Sequence, residues 1–520
     1  MHLLKLSALL VPLISFAVAF TPSVHSALSA PGLTMEDKRP EIGYEDAFMS
    51  ESDQTAAFKN ENVALDNLLS RPGENSLTPA DTHRQDERVF FVSPRGSDDA
   101  LGTNAAPWKS IQHAVNQLNA GDRLTLLEGV YNETVDLSVS GNQKAWITIE
   151  GSGQVVIDRG QGKKGFESDG TRNYDPTIDT NGQSFIRIKN LEVHNSRAAV
   201  EVNGGSYVEI DNLKSSGNDF AVKIDGASNV VVRNVHAENS RNAFRTEGDT
   251  RNVLFENIET LGSEDAYKGY KTRRDFYLNG DGFILEEGTN ITLRNIASYN
   301  HWDAGFDIKA NNVTLDNVVA FGNKNNFKTW GDNIVINNAL SFGAKRQSEE
   351  GSPVQWDGNG INVRRGTLKI INSTFVDNED FDIKMTNDAA VTLEKSVVAR
   401  RGPGDGRLLA IDGGYFRHEE NLWYDDGLQK VEAEGFRAGA GEKWGAPGFV
   451  SWGKDYNLTG AEALKLGYNG TRQAHTPGPI APPVVSQPAD LVIYAEAAAG
   501  GYGNARTGER IFVRIPVPRG

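Results

Sequence analysis

Three aspartates and one lysine carry the most chemical information in this chain. Asp281 and Asp303 lie 22 residues apart, and Asp307 and Lys328 lie 21 apart. In a chain that repeats with that period, residues so spaced stack side by side in space. Three carboxylates gathered at one loop edge suit a hard cation such as Ca²⁺, which takes several oxygen ligands in an irregular shell. Trp330 follows Lys328 by two residues, on the same expected face. A lone aspartate at a corner is a turn residue, because its side chain bonds its own backbone. Three on one face beside an amine are a candidate site.

The stacking needs a repeat, and the asparagines show one. Asn190, Asn212, Asn234, Asn257, Asn295, Asn317, Asn338 and Asn372 each follow a β-branched stretch, at steps of 22, 22, 23, 38, 22, 21 and 34. The two long steps are one coil plus an insertion, at roughly 264–279 and 345–357, and both insertions belong to coils that flank the candidate site. Each coil splits into three short alternating segments, such as 185–188, 191–193 and 199–202, with Asn, Gly or Asp at the corners. A leucine-rich repeat has a similar period but is leucine-dominated with one strand per repeat. Here Val, Ile and Phe fill the positions. The pattern therefore predicts an all-β fold, a right-handed parallel β-helix with three short strands in each coil.

Aligned on the third segment, Phe220, Phe244, Phe283, Phe306, Phe327, Ile361 and Phe381 form an inward ladder. Strand alternation then turns the next residues outward: Ala221, Arg245, Ile284, Asp307, Lys328, Asn362 and Asp382. A second outward row holds Lys223, Glu247, Glu286, Lys309, Trp330, Arg364 and Lys384. Neighbouring rungs are ~4.8 Å apart, so Asp307 and Lys328 should nearly touch.

Composition fits this reading. The 520 residues include 54 Gly and only 4 Met, which suits short strands and tight turns better than long helices. A net charge of −16 excludes a duplex nucleic-acid binder, which needs basic surface to displace counterions. An acidic polysaccharide remains compatible, since a local basic groove or a bound cation reverses the field. Residues 1–26, with His2 and Lys5 ahead of an apolar run from Ala8 to Phe20, read as a secretory signal peptide. The expectation is a secreted protein, extracellular or periplasmic, that acts as a monomer and has no membrane span after cleavage. With no cysteine, it must be held by its core alone. Residues 27–88 read as a flexible acidic leader, 89–475 as the β-helix and 476–520 as a Pro-rich tail. Ile111, Ala114, Val115 and Leu118 have helical spacing, which predicts one helix over Trp108–Leu118 capping the open end of the stack.

Several motifs together resemble a known family. Asp281-Gly282-Phe283, then Asn300-His301-Trp302-Asp303-Ala304-Gly305-Phe306-Asp307, then Phe321-Gly322-Asn323 with Asn326-Phe327-Lys328, are similar to the core motifs of family 9 polysaccharide lyases. The opening Phe91–Ser97, Pro107–Ile111 and Gly121-Asp122 are similar to that family's N-terminal cap. The resemblance covers roughly residues 89–460 and implies a calcium-dependent pectate-lyase type of β-helix. It further implies that Asp281, Asp303 and Asp307 hold Ca²⁺ and that Lys328 is the catalytic base. The sequence departs from the family at Ala304, where a second consecutive acid is usual, and after Lys328, where Thr329-Trp330-Gly331 replaces the usual Leu-Gly-Gly.

The chemistry so implied is β-elimination. The C5 proton of a uronate is weakly acidic beside its own carboxylate; a cation on that carboxylate stabilises the carbanion-like transition state. A neutral amine then takes the proton and the C4 oxygen departs. Lysine starts near a pKa of ~10.4 and must be lowered for this role. Arg245, Lys309 and Arg364 suit further carboxylates of the polymer, and Trp330 suits a sugar face. Three alternatives stay open: a β-helix glycoside hydrolase, a uronate epimerase and a non-catalytic polysaccharide-binding protein, the last favoured by Ala304.

Overall fold

The computed structural model describes residues 87–160, 175–262, 280–348, 355–401, 406–426, 431–432, 439–459, 465–470, 491–496 and 510–515. The chain divides into two units, Met1–Asp66 and Asn67–Gly520, and every described residue belongs to the second. The expected signal peptide, nearly all of the leader and the insertion at 264–279 lie outside the described residues.

All eight marker asparagines, Asn190 to Asn372, have left-handed backbones with φ between 51° and 56°. Asparagine reaches this region more readily than other non-glycine residues because its short amide bonds locally. The consequence is a sharp corner made by one residue. Asn212, Asn295 and Asn317 each bend a single long strand, Ser206–Ser216, Thr289–Tyr299 and Asn311–Phe321 respectively. Two of the three expected segments in each coil are thus halves of one bent strand. The third is a separate short strand, such as Ala304–Ile308 or Asn325–Thr329.

The corner amides also bond to one another. Asn257 donates to Asn234, Asn295 to Asn257, Asn317 to Asn295 and Asn338 to Asn317, at 2.8–3.2 Å. Coils pair in parallel and in register around one apolar core. Phe244, Phe283, Phe306 and Phe327 stack along it with centroids 4.5–5.4 Å apart. The chain is therefore a right-handed parallel β-solenoid.

The ends of the inward ladder differ from expectation. Phe244 opposes Val222 rather than Phe220, and Ile361 opposes Ile383 rather than Phe381. Both alternatives have the same inward parity, so alternation alone cannot separate them; the register does. The outward neighbours at those rungs are Lys223 and Lys384, not Ala221 and Asp382.

The helix spans only Ile111–Val115, with the amides of Ile111 and Gln112 donating to Glu133. A second apolar cluster lies outside the core, where Tyr299, Phe321 and Phe342 stack and are covered by Tyr456, Leu458 and Tyr468. Phe449–Ser451 pairs antiparallel with Asp455–Leu458 over this face. Within the tail, Leu491–Glu496 and Arg510–Ile515 form another antiparallel pair. No helix among the described residues is long and apolar enough to cross a membrane.

Asn317 tests the corner. It is 1% exposed and bonds on both sides within the ladder. Asn317→Ala should cost about 2–4 kcal/mol, from two lost buried bonds and an unfavourable left-handed backbone. Asn317→Gly should cost less, since glycine keeps the backbone. Urea unfolding midpoints measure both; equal, near-zero shifts would show that the ladder is ornamental.

Candidate active site

Asp307 and Lys328 oppose one another on adjacent rungs, Ala304–Ile308 against Asn325–Thr329. The Lys328 ammonium lies 3.5 Å from Asp307 Oδ2 and donates to Asp303 Oδ2 at 3.1 Å. Asp281 also faces it electrostatically. The structure thus brings the four residues together.

Asp281 and Asp303, however, do not share a rung. Phe283 opposes Phe306, a step of 23, so the register extended by two residues sets Asp281 against Ala304. The Ala304 amide donates to Asp281 Oδ1 at 2.7 Å. Asp303 instead lies one residue earlier, in the turn that enters the strand.

These carboxylates are removed from water, and their protonation follows from that. Burial first, then repulsion from Asp303 and Asp307, pushes Asp281 well above the usual carboxylate range. Burial likewise raises Asp307. Asp303 feels the same desolvation, but Lys328 and Lys324 outweigh it and hold it below its ordinary value. Desolvation disfavours the Lys328 charge, yet Asp303, Asp307 and Asp281 outweigh it and raise its pKa above that of free lysine. As it stands, Lys328 is an ammonium.

Within this cluster, three buried carboxylate oxygens have no hydrogen-bond partner: Asp281 Oδ2 and both oxygens of Asp307. Asp307 Oδ2 has only the ion pairs of Lys328 and Lys309, and Asp281 Oδ2 and Asp307 Oδ1 have neither a hydrogen bond nor an ion pair, so oxygens remain that a hard cation could take. Among the described residues, no three carboxylate, imidazole or thiol groups enclose an ion as they stand. The Lys328 ammonium occupies the ground between Asp303 and Asp307.

The remaining expected residues surround this centre. Lys309 reaches Asp307 Oδ2 at 3.4 Å and Glu286 Oε1 at 2.7 Å. Trp330 is half-buried, with the Lys328 ammonium and the Arg364 guanidinium each 5.8 Å from its ring. Arg245 lies outward on the same face, engaged by Glu247. Ile284, expected to face solvent, is buried. His301 is a buried corner residue: desolvation lowers its pKa to about 3, and its ring contacts Thr260. Sequence reasoning missed Lys324, which pairs with Asp303 at 3.8 Å and Asp357 at 3.5 Å. Its signal was present, since Lys324 follows Asp303 by 21 residues.

The in-register coils define a parallel β-helix with three buried aspartates grouped around one lysine. The chain belongs to the Pel9A-like right-handed beta-helix family, whose description matches residues 90–388. It is 26% identical over 283 residues to pectate lyase PEL9 of Emericella nidulans, covering 53% of this chain and 62% of that relative. Among solved structures, it is similar to pectate lyase Pel9A (17% identity, TM-score 0.35), over 70% of this chain and 83% of that one. It is also similar to the A-module of mannuronan C-5 epimerase AlgE6 from Azotobacter vinelandii (13% identity, TM-score 0.48), over 68% and 96%.

The ion-pair geometry predicts how Lys328→Ala will behave. Asp303 has a lowered pKa, so its contribution to stability is present above the ordinary carboxylate range and is lost as pH falls through the lowered value. Removing Lys328 withdraws that contribution and leaves buried charge uncompensated, at a cost of about 3 kcal/mol near neutral pH. Wild type and variant should converge in acid. Unfolding curves across pH measure this, and a pH-independent difference would show that the ion pair is not the cause.

Proposed function

We propose that this protein is a secreted polysaccharide lyase that cleaves an acidic, uronate-containing polysaccharide by Ca²⁺-assisted β-elimination, with Lys328 as base. One observation carries this reading: an amine lies among three buried aspartates, two of which retain oxygens without partners. The family membership supports it, and pectate lyase PEL9 is a relative of known type.

Asp281, Asp303 and Asp307 are the residues that would hold Ca²⁺. When bound there, Ca²⁺ supplies positive charge to the substrate carboxylate beside C5 and to the aspartates themselves. Lys328 is kept protonated by Asp303 and Asp307, so neutralising those carboxylates removes what holds its proton. The amine, having released its proton to water, takes the C5 proton; the electron pair left on C5 forms the C4–C5 double bond as the C4–O bond breaks, and the departing oxygen takes a proton from water. Arg245, Lys309, Trp330 and Arg364 line the outward face on which the polymer would lie.

Two expectations follow. The raised pKa values of Asp281 and Asp307 mean that their contribution to stability is present below the ordinary value of 3.8 and is lost as pH rises through the raised values. Ca²⁺ should therefore raise the thermal midpoint more at pH 7 than at pH 5, and Mg²⁺ should do less, because it demands a stricter shell. An equal or absent shift at both pH values would remove the calcium site.

Incubation with a panel of uronic-acid polysaccharides should yield the ultraviolet absorbance of the unsaturated product. Lys328→Ala should reduce kcat roughly 100-fold to 10,000-fold, and Lys328→Arg should rescue little, because guanidinium stays protonated. New reducing ends without absorbance would mean a hydrolase instead. Epimerised polymer would mean an epimerase, and binding with no reaction a non-catalytic module.

A further inference from the structure

The outward row that carries Asp307 and Lys328 continues along the solenoid, and its charges are arranged unequally on the two sides of Lys328. Toward the N-terminus it reads Ile284, Arg245, Lys223 and Glu201, then Asp179 and Asp136. Toward the C-terminus it reads Asn362 and Lys384, then Ala410 and Glu432, with Trp330 and Arg364 alongside in the second row. Successive rungs are ~4.8 Å apart, comparable with the advance of one sugar in an extended 1,4-linked chain.

The N-terminal cations are already neutralised. Lys223 pairs with Glu247 at 3.0 Å and Glu201 at 3.3 Å, with Asp225 at 3.7 Å, and Arg245 is engaged by the same Glu247. Beyond them, Glu201, Asp179 and Asp136 stack acid on acid. A polyanion gains nothing there and is repelled further on.

The C-terminal cations stand differently. Among the described residues, neither Arg364 nor Lys384 has a carboxylate within ion-pair distance; each lies against an aromatic ring instead, Trp330 and Phe381 respectively. Buried nitrogens without a hydrogen-bond partner lie on both sides, but Arg245 Nε has the Glu247 carboxylate beside it as an ion pair, whereas Trp330 Nε1 and Arg364 Nε have no carboxylate beside them among the described residues. A buried donor without an acceptor costs free energy that an arriving oxygen recovers. Anionic oxygens recover most, because guanidinium and ammonium bonds to carboxylate are charge-assisted.

We propose that this groove reads its substrate on one side only: the uronate carboxylates next to the cleaved linkage are bound by Arg364 and Lys384, with Trp330 between Arg364 and Lys328, on the C-terminal side. The N-terminal side, over Arg245 and Lys223, takes sugars without requiring their charge. This rests on the proposed lyase function and adds to it a required position for acidic residues in the polymer. A polysaccharide of mixed acidic and neutral sugars is accepted when its acidic stretch lies on the Arg364 side.

Binding can be read without turnover. In a Lys328→Met background, in which methionine keeps the volume and removes the base, isothermal titration uses a tetramer of 1,4-linked galacturonate and a neutral galactose tetramer. Arg364→Ala and Lys384→Ala should each weaken galacturonate binding about 10-fold to 100-fold, and Trp330→Phe, which loses only the indole donor, about 5-fold. The charge-balanced double variant Arg245→Ala/Glu247→Ala should weaken galacturonate and galactose binding by the same factor, leaving the preference for the charged tetramer intact. Each variant is first checked for an unchanged unfolding curve, and Arg364→Gln and Lys384→Gln replace any that does not fold.

An equal loss of galacturonate preference on both sides, or a larger loss of it in the Arg245/Glu247 variant, would overturn the one-sided groove while leaving the acidic substrate class intact. Galacturonate binding no tighter than neutral binding in the background protein would instead overturn the acidic substrate class, and this inference with it.

Discussion

Side chains on this solenoid acquire their neighbours from the hydrogen bonds between successive coils, and the corner asparagines hold those coils in phase. Each marker asparagine accepts the left-handed backbone that turns the chain within one residue; Asn212, Asn257, Asn295, Asn317 and Asn338 donate to the corner asparagine of the preceding coil, and Asn234 and Asn372 donate one residue earlier, to Asp211 and Asn337. A coil of different length must return to that corner before it can continue. The insertions are compatible with this because they leave the strands at other corners. Asn257 still bonds to Asn295 across a step of 38 residues. The rung that unites Asp307 with Lys328 is a consequence of this phase-keeping, since nothing in their own side chains would bring two residues 21 apart together.

This is why so much of the fold was legible beforehand. The asparagines give the period directly, and parity along each strand separates inside from outside. What parity cannot give is phase. Phe220 and Val222 are both inward, and choosing the larger residue shifted the N-terminal end of the ladder by one full repeat of alternation. The pairing of Asp281 with Asp303 failed for a related reason. Their spacing of 22 matches the average coil, but the coil between them has a strand step of 23, so Ala304 takes the expected partner's place. Lys324 was invisible to a search for outward strand residues because it lies in a turn and reaches Asp303 only through its long side chain.

Ala304 changes meaning in this light. As a missing acid it weakens a cation site. As a rung neighbour of Asp281, it supplies a backbone donor to Oδ1 while Oδ2 remains without a partner. An acid at the same buried position would add a further negative charge beside a carboxylate already pushed up by its neighbours. Three lysines, Lys309, Lys324 and Lys328, contact Asp303 and Asp307. The cluster is therefore close to neutral without a bound ion, and its tolerance of burial follows from that balance.

The same balance would tie the affinity for any cation to the state of the amine. A cation and the Lys328 ammonium would draw on the same oxygens of Asp303 and Asp307, so each must weaken the hold of the other, and the coupling is reciprocal. Lys328 in its neutral form leaves those carboxylates to a cation; with them neutralised, the lysine loses the interactions that raised its pKa. In the proposed mechanism, loss of the lysine proton and cation binding would be coupled equilibria, with the neutral amine favoured when a cation is bound. The lysine that most opposes cation binding in the resting cluster is, by this linkage, the group that binding would switch into use.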